Sequence, residues 1–182
     1  MNLDPRYPGY GDHRLQRRES RKSTYFTVRV GAQIVGLPVD EVRTVFHPEK
    51  LTPVPLAPPE IAGLANLRGR IVTVLHLDRC LRIESDETNA KPIAVGIVHN
   101  GEDYAFLVDD AGDVVYSEEA DRIDCPGHVD AHFTMLVSDC YRRCEGFLPI
   151  VDVARLIAEV SRQSELKNRA VISGNSARGA HL

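Results

Sequence analysis

Cys125, His128, His132, Cys140 and Cys144 fall within one short stretch, ordered Cys-x2-His-x3-His and then Cys-x3-Cys. Zinc takes thiolate and imidazole ligands in a tetrahedral site, so a structural Cys/His zinc site is the sharpest chemistry these residue types suggest. A helical His128–His132 pair would share one face. Pro126-Gly127, however, breaks any helix that would begin before His128. Cys140 and Cys144 fall on an expected strand, on one face but too far apart for a tight ligand loop. The zinc site therefore stays a lesser alternative, and no cofactor or metal is expected. The cysteines, Cys80 included, read as reduced thiols, mostly buried as small apolar groups. A cysteine nucleophile needs a base and an orienting group, and no Cys, His and Asp or Asn fall in a recognised order. A phosphate-binding loop and a dinucleotide fingerprint are also missing. Asp109 and Asp113 look like an acidic pair, but the neighbouring Gly112 makes turn capping the better reading. The chain is not expected to be an enzyme.

A binding element is better supported. Leu51–Leu77 reads LTPVPLAPPEIAGLANLRGRIVTVLHL. Prolines 53, 55, 58 and 59 fix φ and restrict their predecessors, so this part is a stiff, extended connector laid over a surface. Gly63 permits a sharp bend or a close backbone approach. Asn66-Leu67-Arg68-Gly69 is expected to turn into a strand at Ile71–Leu75, with Leu67 inward and Arg68 outward. A guanidinium held on a rigid turn is placed to pair with a carboxylate on a partner.

The elements that must hold this turn are short strands. The chain has 182 residues, 43% of them hydrophobic, with no Trp. Val, Ile, Leu and Ala carry the apolar content, which leans towards β. The formal charge of −4 gives no reason to expect nucleic acid as a partner. No apolar run is long enough to span a bilayer, and the polar N-terminus does not read as a signal peptide, so a cytoplasmic location is expected. Strands are expected over residues 24–30, 34–39, 71–75, 93–99, 104–108, 114–116 and 147–151. Asn100-Gly101 marks a hairpin between two of them. Single turns are expected at 59–62 and 76–81. Asp152 is expected to cap a helix from Val153, with Leu156, Ile157 and Val160 on one face. Residues 1–23 read as a flexible basic arm, 24–160 as the folded domain, and 161–182 as a tail without order after the helix. Asn66–Leu75 and Asp139–Val151 are candidates for similar roles in two halves of the domain.

The proline connector, the turn and the strand together resemble the CheW family of chemotaxis coupling proteins. Pro55, Pro58, Ile61, Gly63, Asn66, Leu67, Arg68, Gly69, Ile71, Val72 and Val74 carry the likeness. Gly36-Leu37-Pro38-Val39 with Val42, Leu107-Val108-Asp109 with Asp113-Val114, and Ile150-Val151-Asp152 before Leu156-Ile157 extend it over about Thr24 to Ile157. Thr44 and Thr73 depart from the family's frequent Glu and Pro. The resemblance implies a mainly β fold: two small five-stranded SH3-like barrels packed on a shared core, with a short C-terminal helix. It implies a non-catalytic adaptor that joins the cytoplasmic tip of a methyl-accepting chemoreceptor to the regulatory domain of a CheA-type histidine kinase, meeting membranes only through receptors. A CheW-like scaffold of a non-chemotactic array is the alternative. By the same resemblance, Val42, Val45, Gly63, Asn66 and Arg68 would line the receptor groove between the barrels.

Overall fold

The computed structural model describes residues 22–85, 92–126, 130–144 and 146–176, with side chains up to Lys167. Nearly all of the expected basic arm, and His128, lie outside the described residues. Among the described residues, eleven strands form two sheets: β1 (Lys22–Val30), β2 (Gln33–Pro38), β3 (Val42–Phe46), β4 (Ile61–Leu67), β5 (Arg70–His76), β6 (Ile93–His99), β7 (Glu102–Val108), β8 (Asp110–Glu118), β9 (Arg122–Ile123), β10 (Val137–Arg143) and β11 (Gly146–Val151). Three helices accompany them: α1 (Leu77–Leu81), α2 (Ala131–Met135) and α3 (Val153–Ser176).

The first sheet has the order β3-β6-β7-β5-β4. Its hairpins turn where the backbone enters positive φ at two successive residues: Arg68 (53°) and Gly69 (85°), then Asn100 (50°) and Gly101 (82°). This is the primed two-residue turn whose twist matches a hairpin. The second hairpin lies where Asn-Gly was expected. The first turns one residue later than expected: Asn66 stays in β4, and its Oδ1 accepts from the Gly69 N–H at 2.7 Å. β4 itself was hidden in the sequence by its glycine and alanines and by a bulge between Ile61 and Gly63.

The second sheet has the order β8-β1-β2-β11-β10-β9. β8 and β9 are joined by a 3-10 turn at Glu119–Asp121. They act as one bent strand, pairing with β1 at one end and β10 at the other. The expected five-stranded barrel is thus present, with one strand broken. The hairpins β4–β5 and β10–β11 occupy matching places: each second strand pairs in parallel within its own sheet, β5 with β7 and β11 with β2, and each leads into a helix.

Each barrel has a small interior. Ala65, Val72, Val74, Ala94, Ala105 and Leu107 fill the first; Tyr25, Tyr141, Leu148 and Ile150 fill the second. The larger core lies between them, built from Val28, Leu37, Leu75, Ile97, Phe106, Leu136, Val151, Leu156 and others. Asp152 caps α3, its Oδ1 accepting from the Arg155 N–H at 3.0 Å, and Leu156, Ile157 and Val160 are buried as expected. The helix then continues to Ser176, through residues assigned to a tail. Glu159, Arg162 and Gln163 bond across its exposed turns, the local pairing that sustains a helix beyond its packed face.

The thiol expectation is corrected at two positions. Cys125 and Cys140 form a disulfide, their Cα atoms 5.5 Å apart. Strand pairing, which brings the exit of β9 to β10, decides this, and the spacing in sequence does not display it. The two sulfurs are consequently not thiolates for a metal, and the His132 Nε2 is engaged with the Cys80 carbonyl at 3.0 Å. Cys144 is an exposed thiol in the turn after β10, not on the strand with Cys140. Cys80 is a buried thiol, pushed up by burial and by the nearby Glu60 and Asp78 carboxylates.

Asp109 caps a turn, but one distant in sequence. Its Oδ2 accepts from the Gly31 N–H at 2.5 Å, and the Ser85 hydroxyl donates to the same carboxylate at 2.9 and 3.0 Å. Gly31 has φ 57°, and a Cβ there would collide with the Glu84 carbonyl. Asp109 thereby ties the β1–β2 turn to the start of β8. Asp109→Ala leaves those donors unpaired and is expected to cost about 1–3 kcal/mol, read as a lower urea midpoint at unchanged slope.

Candidate functional site

Paired residues across a sheet point to the same face, and the two faces alternate along a strand. In β3 a bulge interrupts this: Val42 pairs with Ile97, Thr44 with Gly96, Val45 with Val95 and Phe46 with Ala94. Ile97 and Val95 share one face. The extra residue, Arg43, therefore turns Val42 and Val45 to the same side, although three positions apart they would otherwise point oppositely. That side is the outer face of the first barrel, the one packed on the shared core. Val42 is half-buried against the core, while Val45 lies past its edge at 44% exposure.

The same face continues across the sheet. The pairings Ile97–Tyr104, Tyr104–Thr73 and Thr73–Leu64 carry it from β6 to β4. One row further out, Asn66 pairs with Ile71, an apolar side chain 64% exposed. Polar groups frame this face. Glu41, just before Val42, places Oε2 3.6 Å from His99 Nδ1. The Tyr104 hydroxyl donates to Glu102 Oε2 at 2.5 Å, and burial together with that carboxylate holds the phenol up at about 12. Tyr104 is thus a neutral donor at any working pH.

One side chain from each edge strand of the first sheet reaches over Gly96. A Cβ added to Gly96 would meet Thr44 Cγ2 at 3.0 Å and Leu67 Cδ2 at 3.8 Å. Thr44 of β3 and Leu67 of β4 are thus within reach of each other over the interior. Arg68 is exposed at the hairpin tip and makes no hydrogen bond or ion pair among the described residues. Asn66 holds it there through the bond to Gly69.

Gly63 has a different place. It is buried, with φ 145°, facing the barrel interior beside Val74, and a Cβ would sit 2.5 Å from the Thr52 carbonyl oxygen. Thr52 and Leu64 exchange two backbone bonds of 2.8 Å. The proline connector therefore pairs with the free edge of β4, besides running over the surface. Gly63 presents no side chain to a partner; it permits the connector to close the barrel.

Of the five expected residues, Val42, Val45 and Asn66 share the outer face, Arg68 stands at its rim, and Gly63 lies beneath it. Sequence reading missed Ile71 and Tyr104 as members of this face, because face membership follows from register and bulges. Among the described residues no cluster of His, Cys, Asp or Glu could hold a metal ion, and no helix is long and apolar enough to cross a membrane.

Comparisons with known proteins agree on one family. The family model for the CheW-like domain matches residues 24–161. Chemotaxis protein CheW of Bacillus subtilis is 24% identical over 141 residues, covering 78% of this chain and 90% of that protein. Chemotaxis protein CheW of Thermotoga maritima is 36% identical over 80 residues, 44% of this chain and 52% of that protein. The crystal structure of scaffolding protein TtCheW from Thermoanaerobacter tengcongensis has the same fold, with a TM-score of 0.64 at 21% identity over 72% of this chain and 89% of that one.

The geometry at Gly63 has a measurable consequence. Gly63→Ala forces the connector away from β4 and strains a positive φ, and is expected to cost about 1–3 kcal/mol. For a domain of this size that lowers the melting temperature by about 2–4 °C per kcal/mol, followed by circular dichroism.

Proposed function

The chain belongs to the CheW-like domain family, and from that premise we propose that the outer face of its first barrel receives a chemoreceptor helix while the protein couples that receptor to a CheA-type histidine kinase. It is a non-catalytic chemotaxis adaptor. What it contributes is surface.

The observation that carries the receptor site is the bulge in β3, which turns Val42 and Val45 to one side and leaves Val45 past the edge of the core. A helix laid there meets two β-branched side chains, and Arg68 stands exposed at the β4–β5 hairpin tip of the same sheet. Small apolar anchors flanked by one cation suit an amphipathic helix that carries a carboxylate beside its apolar stripe. The cytoplasmic tip of a methyl-accepting receptor is the partner the family resemblance supplies. Asn66 acts at one remove, by fixing the turn that aims Arg68. Gly63 acts at two, through the connector. The regulatory domain of the kinase is the second partner. It is itself CheW-like in the family, so barrel-to-barrel packing would alternate the two proteins.

Arg68→Glu and Val42→Asp are expected to lower co-sedimentation with receptor-bearing membranes by about tenfold or more, since an unpaired or repelled charge at a desolvated contact costs at least ~1.4 kcal/mol. Circular dichroism of Arg68→Glu should match the parent, while Val42→Asp, at a half-buried position, should keep the parent spectrum with a lower melting temperature. If both variants sediment like the parent, the groove assignment is wrong. Arg68→Gly separates binding from folding. Positive φ suits glycine, so stability should stay within about 1 kcal/mol of the parent, while receptor binding falls because the guanidinium is gone. The same membranes with a CheA-type kinase added test the coupling: the parent should retain kinase in the pellet in a receptor-dependent way.

A further inference from the structure

We propose that the Cys125–Cys140 disulfide is a redox-controlled latch on the closure of the second barrel. The bond joins the exit of β9 to the middle of β10. β9 is only two residues long, and it pairs with β10 only through Ile123–Cys140 and Arg122–Tyr141. Arg122 adds an ion pair to Asp139 at 2.5 Å and one to Glu119 at 3.3 Å, but its own side chain is half-exposed. Such exposed pairs contribute little. The covalent link is therefore the strongest element holding β9 in the sheet. It also closes a chain loop that contains α2, whose Phe133 is buried in the shared core and whose His132 bonds the Cys80 carbonyl.

The other two thiols cannot exchange with this bond in the folded chain. Cys80 is buried, and its thiol is held protonated by burial and two carboxylates. Cys144 is exposed but lies four residues beyond Cys140, about 13 Å of extended chain, and on the side of the pairing away from Cys125. The reductant must come from outside, as a dithiol. One of its thiolates attacks the Cys125 sulfur, the less buried of the pair, and Cys140 leaves as a thiolate that takes up a proton. The second thiol of the reductant then attacks the mixed disulfide, releasing Cys125 as a thiol and leaving the reductant as its own disulfide. Two electrons pass from the dithiol to the protein. Val42, Val45, Asn66 and Arg68 all belong to the first barrel or its hairpin, so the latch acts apart from the receptor face.

The test is hydrogen exchange on the full-length protein, air-oxidised and then treated with dithiothreitol, followed by reoxidation. In the reduced form, exchange at residues 122–126 and 131–136 should rise by up to about a hundredfold, the loss expected for opening a loop of this length. Segments 42–46 and 61–70 should not change, and reoxidation should restore protection. Cys144→Ser should respond like the parent. The double variant Cys125→Ser, Cys140→Ser should exchange like the reduced parent under both conditions. If thiol titration of the oxidised protein finds all four cysteines free, or if protection of the 122–136 segments ignores dithiothreitol, the latch is refuted. The reversible cycle on the parent decides the matter even where the double variant fails to fold.

Discussion

Burial of the two barrels' outer faces against each other is the constraint on which the other features depend. Neither barrel encloses enough to stand alone. The first interior is mostly alanine and valine, and the second rests on two tyrosines, a leucine and an isoleucine. The large side chains Phe106, Leu37, Leu75, Ile97, Ile150 and Leu156 are fully buried, and all but Ile150 belong to the core between the barrels. A side chain of this size contributes about 1.5–3 kcal/mol on burial. The central strands are therefore apolar on both faces, which is why Ile93–Val98 reads as a continuous apolar run rather than an alternation.

The edges of this shared face leave apolar side chains open to solvent. A core between two curved surfaces thins towards its margin, and there Val42 is half-covered and Val45 and Ile71 are open. The bulges at β3 and β4 matter because they sit on the two edge strands of the first sheet. Each re-aims side chains where the sheet meets solvent, without disturbing the buried strands between. The proline connector completes the arrangement by pairing Thr52 with Leu64, and Gly63 is the residue that makes this approach sterically possible. An adaptor without catalytic groups needs this kind of construction: an interior that fixes the shape and a margin that can be varied.

Long-range polar contacts join the parts that burial alone leaves free to slide. Asp109 fixes the β1–β2 turn from the start of β8, and Arg143 of β10 reaches the Tyr116 carbonyl and the Ser117 hydroxyl of β8 at 2.7–3.3 Å. The disulfide does the same between β9 and β10. The first and last reinforce strands already paired in the sheet, whereas Arg143 joins β10 to β8 from opposite ends of the strand order.

Features that depend on local chemistry could be read from residue order. The Asn100-Gly101 hairpin, the Asp152 cap, the stiff proline connector and the apolar runs of β5, β6 and β7 follow from φ preferences, capping and hydrophobicity of neighbouring residues, and they were legible. So was the family pattern around Asn66–Gly69, since it is a matter of residue order. The rest follows from how distant strands pair. Whether Val42 and Val45 share a face depends on one bulged residue opposite β6. Whether Gly63 touches a partner or the chain's own Thr52 depends on how the barrel closes. Whether Cys125 meets a metal or Cys140 depends on where β9 lands on β10. A shift of one residue in register exchanges the two faces of a strand, and register is set by contacts between residues far apart in the chain. Read from its beginning, the Cys125–Cys144 stretch offered a choice of chemistries, and the pairing of two strands reduced it to a bond between two sulfurs.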